Sequence, residues 1–399
     1  MKLEQIRTAV GEVREASIAY FRDLIRTKSF SGREQAVVER IKQEMEKLGF
    51  DEVIIDGFGN ILGRIGNGKH HVAIDSHIDT VEVGDATLWK RDPFAAEMKD
   101  GVIYGRGASD QKGGMAAATY AGHLIKKLGL APDFTVWVVG SVFEEDCDGL
   151  CWQYILKNKV IEPVAVIITE PTNLEVYRGH RGRMEITVTT RGVSCHGSAP
   201  ERGVNAIYKM APIVEAIEKL HPTLKDDAFL GKGSVTIADI RSTSPSMCAV
   251  ADSSTIQLDR RLTKGEDQAL AVAQVQKAAG NDAEVKVLDF AEPSWKGCVF
   301  PTKKYYPTWV LEEQHPLCKL ALATHEEQFG KKATAGKWVF STNGIATMGM
   351  YGIPTVGFGP AHEQHAHSPN DQCPADHIPQ AVTFYTHLLN RAAEYFPFK

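Results

Sequence analysis

Acids and histidines gather in five short segments, each next to an apolar run or a helical stretch. Ser76-His77-Ile78-Asp79-Thr80 directly follows the apolar run 71–75. Gly105-Arg106-Gly107-Ala108-Ser109-Asp110-Gln111-Lys112-Gly113-Gly114 precedes a helical stretch. Glu144-Glu145-Asp146 follows a run ending at Phe143, and Glu170-Pro171 follows Val166-Ile167-Ile168-Thr169. His365-Ala366-His367-Ser368-Pro369-Asn370-Asp371 comes after Thr355-Val356-Gly357-Phe358-Gly359. One acid at a strand end is ordinarily a helix cap or a solvated loop group. Several meeting in one place need a cation, because like charges a few ångströms apart repel. Imidazole with carboxylate suits zinc, and cobalt or manganese after it. The chemistry of such a set is metal-assisted hydrolysis.

The surrounding elements have to bring these segments together. Apolar spacing (Ile6, Val10, Val13, Ala16, Ile18, Phe21, Leu24) predicts a helix to about Arg26. Ser31 and Glu34 form a capping-box pattern ahead of a second helix through Leu48. Strands are predicted over 60–65, 71–75, 135–143 and 164–169, with a helix over 113–128. Strands alternating with helices imply an α/β fold with a mixed, largely parallel sheet. Such sheets bind ligands beyond the carboxyl ends of their strands, where the acids sit. From Arg183 the texture changes to alternating strands at 184–189, 234–240 and 254–262, then one at 283–290. Helices at 205–220, interrupted by Pro212, and 265–279 lie between them. This βαββαβ order predicts an inserted α+β, ferredoxin-like unit over 183–293, flanked by a catalytic domain of 1–182 and 294–399.

Composition narrows the classes. The chain has 399 residues, 43% hydrophobic and 24% charged, with a formal net charge of -5. No basic run points to nucleic acid. No apolar run of about 18 residues predicts a membrane span, and the N-terminus lacks a signal-peptide core. Seven cysteines without a CxxC pair suggest reduced thiols and a cytoplasmic address.

The His-x-Asp, Gly-x-x-Asp-x-Lys-Gly-Gly, Glu-Glu and His-Ser-Pro-Asn segments, in this order, resemble a known family over essentially the whole chain. It is the dizinc metallopeptidase and deacylase family of aminoacylase, acetylornithine deacetylase, succinyl-diaminopimelate desuccinylase and carboxypeptidase G type. The resemblance implies a zinc-peptidase-like catalytic domain, an inserted lid and dimerisation domain, and two divalent metal ions, Zn2+ with Co2+ or Mn2+ as substitutes. It implies His77, Asp110 and Glu170 on one metal and Asp110, Glu145 and His367 on the other, with Asp79 holding the His77 tautomer. Glu144 is then the general base, which must reach the attacking water without being a ligand. His196, in Cys195-His196-Gly197-Ser198, resembles a lid histidine that stabilises the oxyanion in the partner subunit's site. Arg261 resembles the arginine that holds a substrate carboxylate, and Asn205, which follows the lid histidine as in the family, is assigned with it to substrate binding. Asn343 lies in Phe340-Ser341-Thr342-Asn343-Gly344, bulkier than the family's usual turn and similar to a subgroup linked with selenium metabolism, so it is assigned to the substrate pocket. Asp371 stands where the family often has glutamate, a supporting contact.

The implied activity is cleavage of an amide bond in a small N-acyl amino acid or peptide-like substrate with a free carboxylate. The partners are that substrate and a second copy through the lid, with neither nucleic acid nor membrane. Two other classes compete. A thiol enzyme would use Cys195 beside His196, or Cys147 near the acids, although no acyl-transfer motif surrounds either. A non-catalytic binding protein on the same fold is expected to lose a ligand or the base, and all are present.

Overall fold

A computed structural model describes residues 1–395. Its largest sheet among these residues has nine strands. The path runs Glu52–Ile55, Ile61–Ile65, Phe134–Ser141, His70–His77, Ala165–Ile168, Thr355–Gly357, Tyr177–His180, Trp309–Val310, with Gly336–Trp338 beside Tyr177–His180. The four inner strands, from Phe134–Ser141 to Thr355–Gly357, are parallel. The outer pairings are antiparallel, apart from that of Gly336–Trp338. The sheet is therefore mixed, and parallel at its centre. Phe134–Ser141 and Ala165–Ile168 are buried at every residue, as unbroken apolar runs require. Because the inner strands run one way, their carboxyl ends share one edge. The register sets His77 against Ser141 and Ile168 against Gly357. Four of the five acid- and histidine-bearing segments leave from that edge.

Helices Leu3–Arg26, Lys112–Lys127 and His377–Asn390 pack on one another. The first buries Ile6, Val10, Phe21, Leu24 and Ile25 at the predicted spacing. Each such side chain contributes about 1.5–3 kcal/mol by leaving water. Lys112–Lys127 starts beside the strand that delivers Glu170, and a Cβ on Gly114 would collide with Thr169 and Gln111. Glycine there permits the close approach.

The predicted capping box is absent. Helix Gln35–Lys47 has Glu34 as N-cap and no side-chain cap bond. Ser31 Oγ instead donates to Asp79 Oδ2 at 2.7 Å, and Glu34 Oε1 accepts from the Phe143 amide at 3.2 Å. Both side chains turn inward because buried polar groups in the core need partners more than an exposed helix end does.

A second sheet has Ser234–Thr243, Ser253–Leu262, Gly182–Arg191 and Ala283–Val287 in that spatial order, all antiparallel, with Tyr305–Tyr306 added on Gly182–Arg191. In chain order this is the 2-3-1-4 arrangement of a ferredoxin-like unit. Helices Ala206–Leu220 and Gln268–Ala279 cover one face, and a separate apolar core (Met184, Ile186, Val188, Ile213, Ile256, Leu258, Val275) fills the space between. Pro212 sits inside the first of these helices, which runs on to Leu220 without a break. The opposite face carries Arg183, Glu185, Asp259 and Arg261, the alternate residues of two adjacent strands.

Candidate metal centre

The five residues expected to bind metal come together at the sheet edge. Asp110 lies in the middle. Its Oδ1 is 2.8 Å from His77 Nε2, and its Oδ2 is 3.3 Å from His367 Nε2. Glu170 Oε1 lies 3.5 Å from His77 Nε2, and Glu145 Oε2 lies 2.8 Å from His367 Nε2. Ligand atoms of His77, Asp110 and Glu145 lie within 4.8 Å of one another, as do those of His77, Glu144 and Glu170. One carboxylate thus faces an imidazole on each side, and each imidazole has a further carboxylate beside it.

Asp79 is completely buried and does more than hold His77. The backbone carbonyl of Asp79, at 3.1 Å, is closer to His77 Nδ1 than its carboxylate is, at 3.5 Å. Nδ1–H donating to that carbonyl leaves the Nε2 lone pair for the centre of the site. The carboxylate is free to clamp the glutamate turn: Oδ1 accepts from the Glu144 amide at 3.2 Å and Oδ2 from the Glu145 amide at 3.1 Å. Phe143, just before, has φ 65, a left-handed conformation unusual for a side chain of its size. Glu34 holds the Phe143 amide, so three successive N–H groups are gripped by two carboxylates. This turn sends Glu145 towards His367 and leaves Glu144 buried on the cavity wall.

Asp371 supports the opposite side. Its carboxylate accepts from the amides of Gly107 (2.8 Å) and Ser109 (2.7 Å) and pairs with Arg106 at 3.0 Å. It fixes the loop that ends in Asp110, so aspartate here does the supporting work expected of the position.

The electrostatics ask for positive charge. Burial, followed by the neighbouring acids Asp148, Glu170 and Glu145, pushes Glu144 well above the ordinary carboxylate value. Burial also raises Glu170 far and moves Glu145 to about 6, with Asp110 adding to both. Burial opposes charge on His77, but Glu170, Asp110 and Asp79 together hold its imidazole well above its usual range. Hydrogen bonds to Asp110 and Glu145 push His367 up to about 10. Every one of these groups favours taking a proton, the response of a crowded anionic site that lacks another cation. Glu144 Oε1 and Glu170 Oε2 are buried with no hydrogen-bond partner. Crowded acids, two imidazoles and orphaned oxygens match a pair of borderline-soft divalent cations.

A cavity of about 370 Å³ opens on this cluster. Asp110, Glu144, Glu145, Glu170 and His367 line it, with Arg261, Arg183, Asp148 and Ser341 among the rest. Arg261 therefore reaches the cavity, while Arg260 turns the other way, buried against Glu266 and Gln274. One assignment to the substrate pocket fails. Asn343 is 1% exposed and donates to Asp75 Oδ2 (2.9 Å) and Ser141 Oγ (3.0 Å), while its oxygen takes the Gly149 amide at 2.9 Å. With its amide engaged on both sides, it braces the strand ends and has nothing left for a ligand. Asn205 is the N-cap of Ala206–Leu220, accepting from Ile207 N at 2.9 Å. That bond occupies the side-chain oxygen, and the residue, like His196, lies outside the cavity of its own chain.

His196 lies on an exposed loop outside the cavity of its own chain. Its Nδ1 accepts from the Ser198 amide at 3.1 Å, which sets the proton of the neutral ring on Nε2. Neither thiol pairing forms. Cys195 Sγ faces the Ala199 carbonyl at 3.3 Å, and burial pushes the Cys147 thiol up to about 12.

Several working residues were not singled out in the sequence. Ser31 and Glu34 read as a helix cap, and only contact with Asp79 and Phe143 shows their task. Asp148 and Arg183 line the cavity. Alternation from Met184 places Arg183 on the outward face, a signal available in the sequence, but its position beside Arg261 depends on strand register.

Comparison with known proteins agrees with this geometry. The profile described as Peptidase family M20/M25/M40 matches residues 73–391, a span containing all five residues expected to bind metal. The Escherichia coli K12 protein YgeY, described as uncharacterized, is 50% identical over 382 residues, covering 94% of this chain and 92% of its own. Aminopeptidase PepT from Bacillus cereus superposes with a TM-score of 0.73 at 20% identity, covering 95% of this chain and 99% of the other. Bacillus subtilis YXEP, described as a dinuclear metal binding peptidase, superposes at 0.69 with 14% identity, over 98% of this chain and 100% of its own. A family profile spanning the whole acid-and-histidine cluster, on a fold shared with metallopeptidases, places the chain in peptidase family M20/M25/M40, whose members are metal-dependent hydrolases of amide and peptide bonds.

Proposed function

We propose that this hydrolase is dinuclear and cleaves an amide bond in a small N-acyl amino acid or peptide-like substrate with a free carboxylate. The observation that carries the reading is Asp110, with one oxygen turned to His77 and the other to His367. His77, Asp110 and Glu170 would hold one cation, and Asp110, Glu145 and His367 the other. When bound there, two such cations, zinc or cobalt or manganese in its place, would supply Lewis-acid polarisation of the scissile carbonyl and stabilise the negative charge that develops on it.

The chain's own residues supply the rest. Glu144 Oε1, buried without a partner, takes the proton of the attacking water and returns it to the leaving nitrogen. Asp79 keeps Glu144 and Glu145 on diverging courses. Arg261, on the cavity wall with Arg183, supplies positive charge on the side from which the carboxylate enters. His196 cannot serve its own cavity, so a second copy brings it in, with residues 183–293 as lid and two-fold dimer contact. Its Nε2–H then donates to the oxyanion. No described helix is long and apolar enough to cross a membrane. All seven cysteines are free thiols, which supports the cytoplasmic address. An aminopeptidase or dipeptidase would use the same machinery as a deacylase, and product analysis separates them.

The test is a zinc-, cobalt- or manganese-reconstituted screen of N-acyl amino acids and dipeptides with products identified by mass spectrometry. Glu144→Ala should retain both metals and lose nearly all turnover. A fully active Glu144→Ala protein contradicts the assigned base.

A further inference from the structure

Arg183 and Arg261 face each other across adjacent antiparallel strands, as partners in the register of Gly182–Arg191 and Ser253–Leu262. Both line the cavity. Like charges placed directly opposite on one sheet face repel unless anions lie between or beside them. The two guanidinium groups are provided for very differently. Asp259 takes Arg261 in a fork, Nε at 2.7 Å and Nη2 at 2.9 Å, so the side of Arg261 best shaped for a carboxylate is already filled.

Arg183 has no such partner. Its nearest acid is Asp148, with both oxygens 3.4 Å from Nη2, and Glu185 stands 3.8 Å from Nη1. Its Nε is buried with no hydrogen-bond partner. Glu185 is itself drawn to Lys304 at 3.0 Å. The Tyr306 ring lies 4.6 Å from the guanidinium carbon and holds its plane. Only 19% of the side chain is exposed, so water does little to satisfy the remaining donors. A planar cation, fixed on an aromatic ring with unused donors at the wall of a reaction cavity, is built to take a planar anion.

We propose that Arg183 is the residue that reads the substrate's free carboxylate, with Arg261 held back by Asp259 as the wall beside it. This rests on the hydrolase reading and deepens it: the preferred substrates are free acids, and selectivity for them resides at position 183. Asp148, 3.4 Å from Arg183 Nη2, lies in the chain segment that follows Glu144.

The experiment uses zinc-reconstituted enzyme and matched probes, N-acetyl-L-leucine with N-acetyl-L-leucinamide and glycyl-L-leucine with glycyl-L-leucinamide. The acid-to-amide ratio of kcat/KM is read for the wild type, R183Q, R183K and R261Q, with zinc content and melting temperature checked for each. The wild type should prefer acids, and R183Q should lower the ratio by roughly 10- to 100-fold, mostly through KM, as expected for a bond to a charged group. R183K, which keeps the charge without the fork, should fall between, and decides the case if R183Q does not fold. R261Q should move the ratio less. An unchanged ratio in R183Q, equal loss on acid and amide, or a collapse in R261Q alone overturns the assignment. Absence of metal-dependent turnover of every probe by the wild type instead defeats the hydrolase reading and this inference with it.

Discussion

Asp79→Asn tests how the turn carrying the base is held. The aspartate carboxylate accepts three bonds, from the amides of Glu144 and Glu145 and from Ser31. Asparagine keeps one acceptor and introduces two N–H donors. In either orientation its NH2 group points at one of the backbone amides, now 3.1–3.2 Å away. Ser31 can rotate its hydroxyl and adapt, but a buried amide cannot. Losing one bond to a charged acceptor and stranding its donor costs about 3 kcal/mol. Relief of charge repulsion works in the other direction. Its nearest beneficiary is Glu34, which burial and then Asp79 push up to about 8. Burial is the larger cause of that rise, so the relief is the smaller effect. The metal-free variant should be less stable by about 3 kcal/mol in urea unfolding with chelator present. Zinc affinity should drop about 10- to 100-fold in a chelator competition, because Glu145 is no longer held. Turnover should fall by about 100-fold as Glu144 shifts. Wild-type stability together with wild-type zinc affinity would refute the clamp.

Two further outcomes follow from buried groups. Asn343→Leu removes donors from Asp75 and Ser141 and an acceptor from Gly149 in a site that is 1% exposed. It should cost about 2–4 kcal/mol in chemical denaturation, and a variant that keeps its stability and only changes substrate preference would restore Asn343 to the pocket. His180 is completely buried, and its Nε2 accepts from Trp309 Nε1 at 2.7 Å and from the Thr342 amide at 3.0 Å. Burial lowers it from the ordinary 6.5 to about 4. The folded protein then binds fewer protons here than the unfolded chain between those values. The stability it contributes is complete above pH 6.5 and is lost as pH falls towards 4. The loss should approach about 3 kcal/mol, read as the difference in pH dependence between wild type and His180→Gln, and parallel curves would contradict it.

The convergence of the segments was legible because each follows an apolar run or precedes a helix, and parallel strands bring such ends to one edge. Which side chains in them are expected to hold metal, His77, Asp110, Glu145, Glu170 and His367, came from the resemblance to the family, since the rule alone does not separate Glu145 from Glu144 or His367 from His365. The failures share a cause. Asn343 was assigned by its place in a motif, yet whether a side chain in a turn faces the cavity or the strands depends on backbone course. Ser31 and Glu34 have the spacing of a cap, but Asp79 and Phe143, distant in sequence, offered them buried partners. Arg183 shows its face by alternation, whereas its opposition to Arg261 is a matter of register, which pairing across the sheet decides.

The most direct measurement is anomalous scattering at the zinc edge from crystals of the zinc-loaded enzyme. Two peaks should flank Asp110, one with His77 and Glu170 and the other with Glu145 and His367. A single peak, or zinc bound away from Asp110, would contradict the two-cation account.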